Sequence, residues 1–348
     1  MESAIPEHLR TSCPRARKID GKVAQGFTPV FPAYAARYAP GVESVVMAYF
    51  GLQYVGGPPQ DAEAALQWII KKFAIEDGPA YWDRSKGVDS AGFTNIVFAA
   101  YWHDRLSFDR WFPSIRDIWT GEGGKDCEFG KFIEVLTPSA QGYETLFSSP
   151  HHAEGVAHLA TSMSGEVLEH TYWGSMRDRI ALSQSDDMQA AGEPHLIRDG
   201  KLVHVVPYDN LCLIRSGQDW SDTDDIERKM YLDDVEPVLR EGMDFLRDSG
   251  VPIGCFSNRY LTVLSPDGGN SEKTFGMSIW RDLASLEAWA EHHPTHLKIF
   301  GAAMRHLTSL GPAVKLRLYH EVAVVTTGQQ FFEYWNCHAK TGLLNINS

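Results

Sequence analysis

Three imidazoles crowd around one proline in His292-His293-Pro294-Thr295-His296. Proline cannot continue a helix but is favoured at the first position of a new one, so a helix is expected to start near residue 294 with His296 in its opening turn. There the positive end of the helix dipole disfavours a protonated ring and leaves a lone pair for a metal. Ile299, Phe300, Ala303 and Leu307 follow at steps that share the His296 face, and an imidazole beside apolar surface is what the proximal side of a non-covalent haem needs. The plainer alternative is a histidine that caps the helix or hydrogen-bonds nearby. A non-haem metal site would draw on His292, His293 and His296, but Pro294 interrupts the single helix that an i, i+4 pair requires. Further on, Val314–Val325 alternates: Val314, Leu316, Leu318, His320, Val322 and Val324 fall on one side and Lys315, Arg317, Tyr319 and Glu321 on the other. His320 therefore points inward, either to a partner in the core or to a cavity. His151-His152 has the look of a ligand pair, but adjacent side chains diverge, and it reads as a loop feature.

The elements that must position these rings fall into two similar halves. Residues 1–43, with prolines at 6, 14, 29, 32 and 40, read as an irregular arm lying over the domain or a partner subunit. In 44–125, Val45–Phe50 is β-rich, Leu66, Ile69, Ile70 and Phe73 mark one helical face, and Ile96–Trp102 reads as a buried strand leading into a second helix. The segment 126–205 connects the halves, and its polar stretch Gln184-Ser185-Asp186-Asp187 suggests loops around a site mouth. In 206–348 the plan repeats, with a strand at Leu211–Ile214, a long helix carrying Leu232, Val235, Leu239, Gly242 and Leu246, and strands near 251–263 and 274–280. Trp102–Trp111 and Trp280–Trp289 both read W-x-D-x-x-S-[FL]-[DE]-x-W in the same strand-to-helix setting, which points to an internal duplication, or else to a common Asp/Ser helix start between core aromatics. The expected class is α+β. Its plan resembles the dimeric α+β barrel superfamily, with two fused ferredoxin-like halves forming an antiparallel β-barrel-like core flanked by helices.

Composition narrows the function. Thirty-two basic against forty-five acidic side chains give a formal charge of −13, which repels nucleic acid and anionic bilayers. The cysteines at 13, 127, 212, 255 and 337 are isolated and odd in number, as in a cytoplasmic protein with reduced thiols, and without C-x-x-C-H no haem could be attached covalently. Neither a secretory leader nor a membrane span is expected, since the first twenty residues lack an apolar core and no apolar run is long enough.

Two local sequences go further than spacing can. His293-Pro294-Thr295-His296-Leu297-x-Ile299-Phe300 and Leu316-Arg317-Leu318-Tyr319-His320-Glu321-Val322 resemble the haem-ligand and distal-histidine segments of the aldoxime dehydratases. The resemblance extends to Tyr172-Trp173-Gly174-Ser175-Met176-Arg177-Asp178-Arg179, Leu213–Trp220, Gly242–Asp248 and Asn336-Cys337-His338, so nearly the whole chain from about residue 27 is covered. It implies dehydration of aldoximes, R–CH=N–OH, to nitriles, with the substrate nitrogen bound to a ferrous, non-covalent haem b. His296 would be the proximal iron ligand, His320 the distal acid–base group, Arg179 and Ser216 the partners of the oxime hydroxyl, and Glu144 an acid near the distal pocket. Gly301–Ala313 is a few residues longer than the family pattern, which should extend the loop at Ser309–Pro312. A homodimer is expected, although a fused two-half chain can satisfy the barrel contact internally. Rival readings are a haem peroxidase-like oxidoreductase of the same superfamily and a non-catalytic haem carrier or sensor.

Overall fold

The computed structural model describes residues 1–12, 23, 26–121, 127–170 and 175–346; Cys13 and Tyr172-Trp173-Gly174 of the family segment lie outside them. The chain enters through α1 (Glu7–Ser12) and β1 (Ala36–Arg37). It then folds β2 (Val46–Val55), α2 (Gln60–Phe73), β3 (Tyr81–Val88), β4 (Phe93–Trp102), α3 (Arg105–Trp119) and β5 (Gly130–Leu136). These strands lie in the order β3-β4-β2-β5, all antiparallel, the ferredoxin-like arrangement. After β6 (Tyr143–Phe147), β7 (Ser162–Met163), α4 (Met176–Arg179), β8 (His195–Asp199) and β9 (Leu202–Val206), the pattern recurs. β10 (Leu211–Asp219), α5 (Asp225–Met230), α6 (Glu236–Ser249), β11 (Cys255–Leu264), β12 (Asn270–Trp280), α7 (Leu283–His292), α8 (Pro294–Leu310) and β13 (Arg317–Val325) give the order β13-β10-β12-β11. Pairing of Thr262 with Lys86 and of Val263 with Ser85 joins the halves. β14 (Gln330–Trp335) returns to β5, and β6 flanks β13, so the described residues form one antiparallel sheet of twelve strands beside the small β1–β7 pair. The first repeating unit closes with β5, beyond the 44–125 segment, and β3 is a strand for which the sequence offers no apolar periodicity.

Burial explains the strand sequences. β2 is buried along both faces, which is why it reads as a continuous apolar run rather than an alternation. One face, with Met47, Tyr49 and Val97, packs against Leu213, Phe275, Met277 and Ala323 of the other half, so the inner barrel contact is made within one chain. The outer faces are covered separately, by α2 and α3 on the first half and by α6 and α7 on the second. The tryptophan motifs occupy equivalent places. Asp104 accepts from Ser107 N at 2.9 Å to cap α3, and Asp282 accepts from Ser285 N at 2.8 Å to cap α7. Their paired tryptophans touch at 5.1 Å and 5.6 Å between ring centroids. The same capping in the same position of both units favours duplication over coincidence.

Two local expectations change. The long helix of the second half carries a π-helical turn at Tyr231–Val235, and this wider turn rotates the apolar face. Tyr231 is consequently buried and Leu232, expected on the core face, is exposed. The segment Ser309–Pro312, expected as loop, is partly helical: Ser309 and Leu310 belong to α8, which stops only at Gly311, with φ +54°, followed by Pro312.

Candidate functional site

β10 and β13 present opposite chemistry on their two faces. Arg215 and Glu321 point into the barrel, and Ser216 and His320, paired directly across the two strands, point toward the helices. Gly242 lets α6 and α8 come close enough to form the opposite wall, since a Cβ there would lie 2.5 Å from Ile299 Cδ1. Between sheet and helices runs a cavity of about 90 Å³ lined by Ser216, His320, Met243, His296 and Ile299. It shares Ala303, Leu307, Leu318 and His320 with a wider space of about 1120 Å³, whose mouth is formed by Phe27, Val30, Phe31 and Pro32 of the arm. The polar run Gln184–Asp187 is not at this mouth; Arg177 donates to the Asp187 carbonyl at 3.0 Å and ties it down elsewhere.

His296 lies in the first turn of α8, as proline placement requires, 7% exposed and edge-on to Trp289 at 4.6 Å between ring centroids. Burial lowers its pKa to about 4, against an opposing hydrogen bond to the Ala290 backbone, so the ring is neutral at physiological pH. His292 and His293 do not join it. The His293 ring contacts Thr295 at Oγ1, 2.8 Å away, and stacks on Phe245, while the His292 side chain is exposed beside Glu291. The donor chemistry suits haem: a neutral buried imidazole in an apolar cleft, with a second histidine on the same cavity.

His320 is 2% exposed, and its Nε2 lies 2.9 Å from Glu144 Oε1 and 3.0 Å from Arg179 Nη2. Arg179 forms a two-point ion pair with Glu144, through Nε at 2.8 Å and Nη2 at 3.1 Å, and both side chains are 1% exposed. Burial alone would raise the Glu144 pKa; the charges and hydrogen bonds of Arg179 and His320 overcome it and lower the pKa to about 2. In place of a donor aimed at the cavity, Arg179 stands behind His320. Its remaining N–H groups, on Nη1, go to the Glu169 carbonyl at 2.7 Å and Ser175 Oγ at 2.9 Å, so four of the five have fixed acceptors, and the fifth, on Nη2, has one only while His320 Nε2 is unprotonated. The expected contact with an oxime hydroxyl would fall to that fifth N–H.

Sequence reasoning missed Glu169 and His170. His170 lines the wide cavity, and burial, followed by the nearby Arg179 charge, lowers its pKa to about 4 despite a hydrogen bond to Phe31. The available signal was position, just upstream of the matched Tyr172–Arg179 segment. His338, in the matched Asn336–His338 segment, pairs with Asp89 at 2.9 Å and does not line the cavity.

A family profile described as haem-containing dehydratase matches residues 48–343. The chain is 42% identical over 352 residues to an aliphatic aldoxime dehydratase from Pseudomonas chlororaphis, covering 99% of this chain and 98% of that protein. It is 32% identical over 330 residues to a phenylacetaldoxime dehydratase from Bacillus sp. (strain OxB-1), covering 92% and 93% respectively. A crystal structure of an aldoxime dehydratase in complex with butyraldoxime superposes with a TM-score of 0.91 at 41% identity, covering 99% of this chain and 96% of that one.

Proposed function

The chain belongs to the family of haem-containing dehydratases, and from that premise we propose that it converts aldoximes to nitriles by removing water, with His320 as the acid–base group. Haem b, held by His296 without covalent attachment and in the ferrous form, supplies when bound the electron density that N–O cleavage draws on. Everything else falls to the side chains. Protonated His320, held at Nε2 by Glu144, gives a proton to the departing hydroxyl; the neutral ring then takes the aldoxime C–H proton as the triple bond forms. Ser216, opposite His320 on the next strand, orients the hydroxyl. Glu144 and Arg179 hold the ring and cancel one another's charge, so Arg179 is read as a positioning residue unless it releases a partner to reach the substrate.

The observation that carries this reading is the buried Glu144–Arg179–His320 set behind a cavity that also holds His296. A haem carrier has no use for such a set. The greater identity to an aliphatic relative and the apolar mouth support alkyl aldoximes as substrates. Cys212, Cys255 and Cys337 are free thiols, and among the described residues no helix is long and apolar enough to cross a membrane; we place the protein in the cytoplasm on the thiols. A homodimer would use surfaces other than the inner sheet faces, which already pack on each other; sedimentation at micromolar concentration tests it.

The deciding experiment follows butyronitrile formation from butyraldoxime by reconstituted protein, without oxygen, before and after dithionite. Turnover only after reduction, abolished in His320→Ala with the Soret band intact, is expected. Peroxide-dependent oxidation without dehydration would replace the reading by a peroxidase.

A further inference from the structure

The Glu144–Arg179 pair is closed from behind by the first residues of the chain. Ala4, Ile5, Pro6, His8 and Leu9 wall a small cavity of about 40 Å³ together with Glu144 and Arg179. Ala4 also packs with Ala33, Ala35, Val167 and Leu146, and Leu146 stands directly opposite His320 in the β6–β13 register. The segment 164–169 is gripped on both sides by the arm. Glu2 N donates to the Glu166 carbonyl at 2.9 Å and Leu168 N to the Glu2 carbonyl at 3.0 Å, while Val167 N donates to the Ala33 carbonyl at 2.9 Å and Ser164 N to the Ala35 carbonyl at 2.8 Å.

Glu169 is where this grip meets the site. Its two carboxylate oxygens accept from Ser3 Oγ and Ala4 N, each at 2.8 Å, and its own carbonyl accepts from Arg179 Nη1 at 2.7 Å. Arg37 reinforces the same turn by donating to the Ser3 and Ala4 carbonyls. A guanidinium holds its orientation only while all its acceptors hold theirs, and two of Arg179's donors on the far side already point at Glu144 and His320.

We propose that residues 2–9 are the closing segment of the active site and that Glu169 is a positioning residue: by clamping Ser3 and Ala4 it fixes the carbonyl that orients Arg179 toward Glu144 and His320. The segment also keeps water from the ion pair, whose hold on the His320 ring depends on low local polarity. This rests on the reading that the His320 set moves the protons, so the test separates the two.

The test compares the haem-loaded protein with Glu169→Ala, with a chain lacking residues 1–9, and with both changes together, measuring kcat and KM for butyraldoxime, the Soret band and Tm. Each single change is expected to lower kcat by about tenfold with KM and haem spectrum little altered, the size that slight misplacement of a catalytic group produces. The double change should be no worse than either single one, because both break the same linkage. Glu169→Gln, which keeps one acceptor oxygen, should fall between. If the shortened chain does not fold, Ala4→Pro removes the same N–H donor and takes its place. A strap that merely stabilises would lower Tm and leave kcat alone, and that result, or singly harmful changes that multiply, overturns the proposal. Arg179→Gln is the control: full activity there removes the site reading and this one with it, whereas loss there with full activity in Glu169→Ala overturns this one alone.

Discussion

One ring nitrogen of His320 faces both a Glu144 oxygen at 2.9 Å and an Arg179 nitrogen at 3.0 Å, and it cannot satisfy both in one protonation state. Protonated, Nε2 donates to Glu144; unprotonated, it accepts from Arg179. Each state has its own partner, which suits the proposed giving and taking of a proton in one turnover. Ser216→Ala should therefore lower kcat by roughly 10²-fold while the ferrous haem spectrum stays unchanged, as loss of an orienting hydroxyl does; unaltered kcat would exclude the serine. The Glu144 carboxyl, held at about 2 rather than its ordinary 4.5, adds stability that is complete above pH 4.5 and lost as pH falls through 2. That depression corresponds to about 3 kcal/mol in order of magnitude. In Glu144→Gln, urea midpoints measured between pH 5 and 2 should fall less steeply than in the parent, from a lower starting value because Arg179 is left with its charge uncompensated.

Strand register sets the site at the scale of elements. Ser216 and His320 meet because β10 and β13 pair residue for residue, and the neighbouring pair, Gly217 with Tyr319, leaves no room for a side chain on the glycine. A Cβ at Gly217 would stand 2.1 Å from the Tyr319 ring. Gly217→Ala should thus destabilise by about 1–3 kcal/mol by overpacking and reduce turnover by disturbing the two flanking site residues. Normal stability with normal activity would show that the ring simply moves aside. The helix starts make a second, milder case: Asp104→Ala and Asp282→Ala should each cost about 1 kcal/mol through loss of the cap, read as a shift in denaturant midpoint with kcat preserved.

Across the whole molecule, the two halves are tied by charge as well as by apolar packing. Arg215, fully buried on β10, donates to Asp83 on β3 at 2.7 Å and to the Tyr101 hydroxyl at 2.8 Å, and that hydroxyl donates to Glu321 at 2.6 Å. This network backs the strands whose other faces carry Ser216 and His320. Asp83→Ala leaves the Arg215 charge without its carboxylate and should cost about 3–5 kcal/mol, while replacing both by apolar residues of similar volume should recover much of that. Equal losses in the single and double variants, by urea unfolding, would mean the pair does not link the halves.

Features written in neighbouring residues were legible in the sequence alone. Pro294 after His293 places His296 in a first turn, and two Asp-x-x-Ser starts beside tryptophans reveal the repeat, because each depends on backbone rules that span a few residues; alternation separates His320 from Glu321 but does not mark an inner face, since β13 is buried on both. The two similar α+β halves followed from the same periodicities, and their antiparallel barrel arrangement from the superfamily resemblance. What the tertiary structure alone decided are contacts between distant residues whose types look like ordinary surface polarity. β3, with Asp83, Arg84 and Lys86, is a strand through its backbone pairing with β4 and β11, and there Asp83 meets Arg215 of the other half. The rotation that buries Tyr231 in place of Leu232 came from a π turn that periodicity cannot foresee. Arg179 turned out to stand behind His320, held by Glu144 and by a carbonyl that the arm secures, since ion pairs survive burial only where every charge and donor finds a partner, and those partners are brought together by the fold.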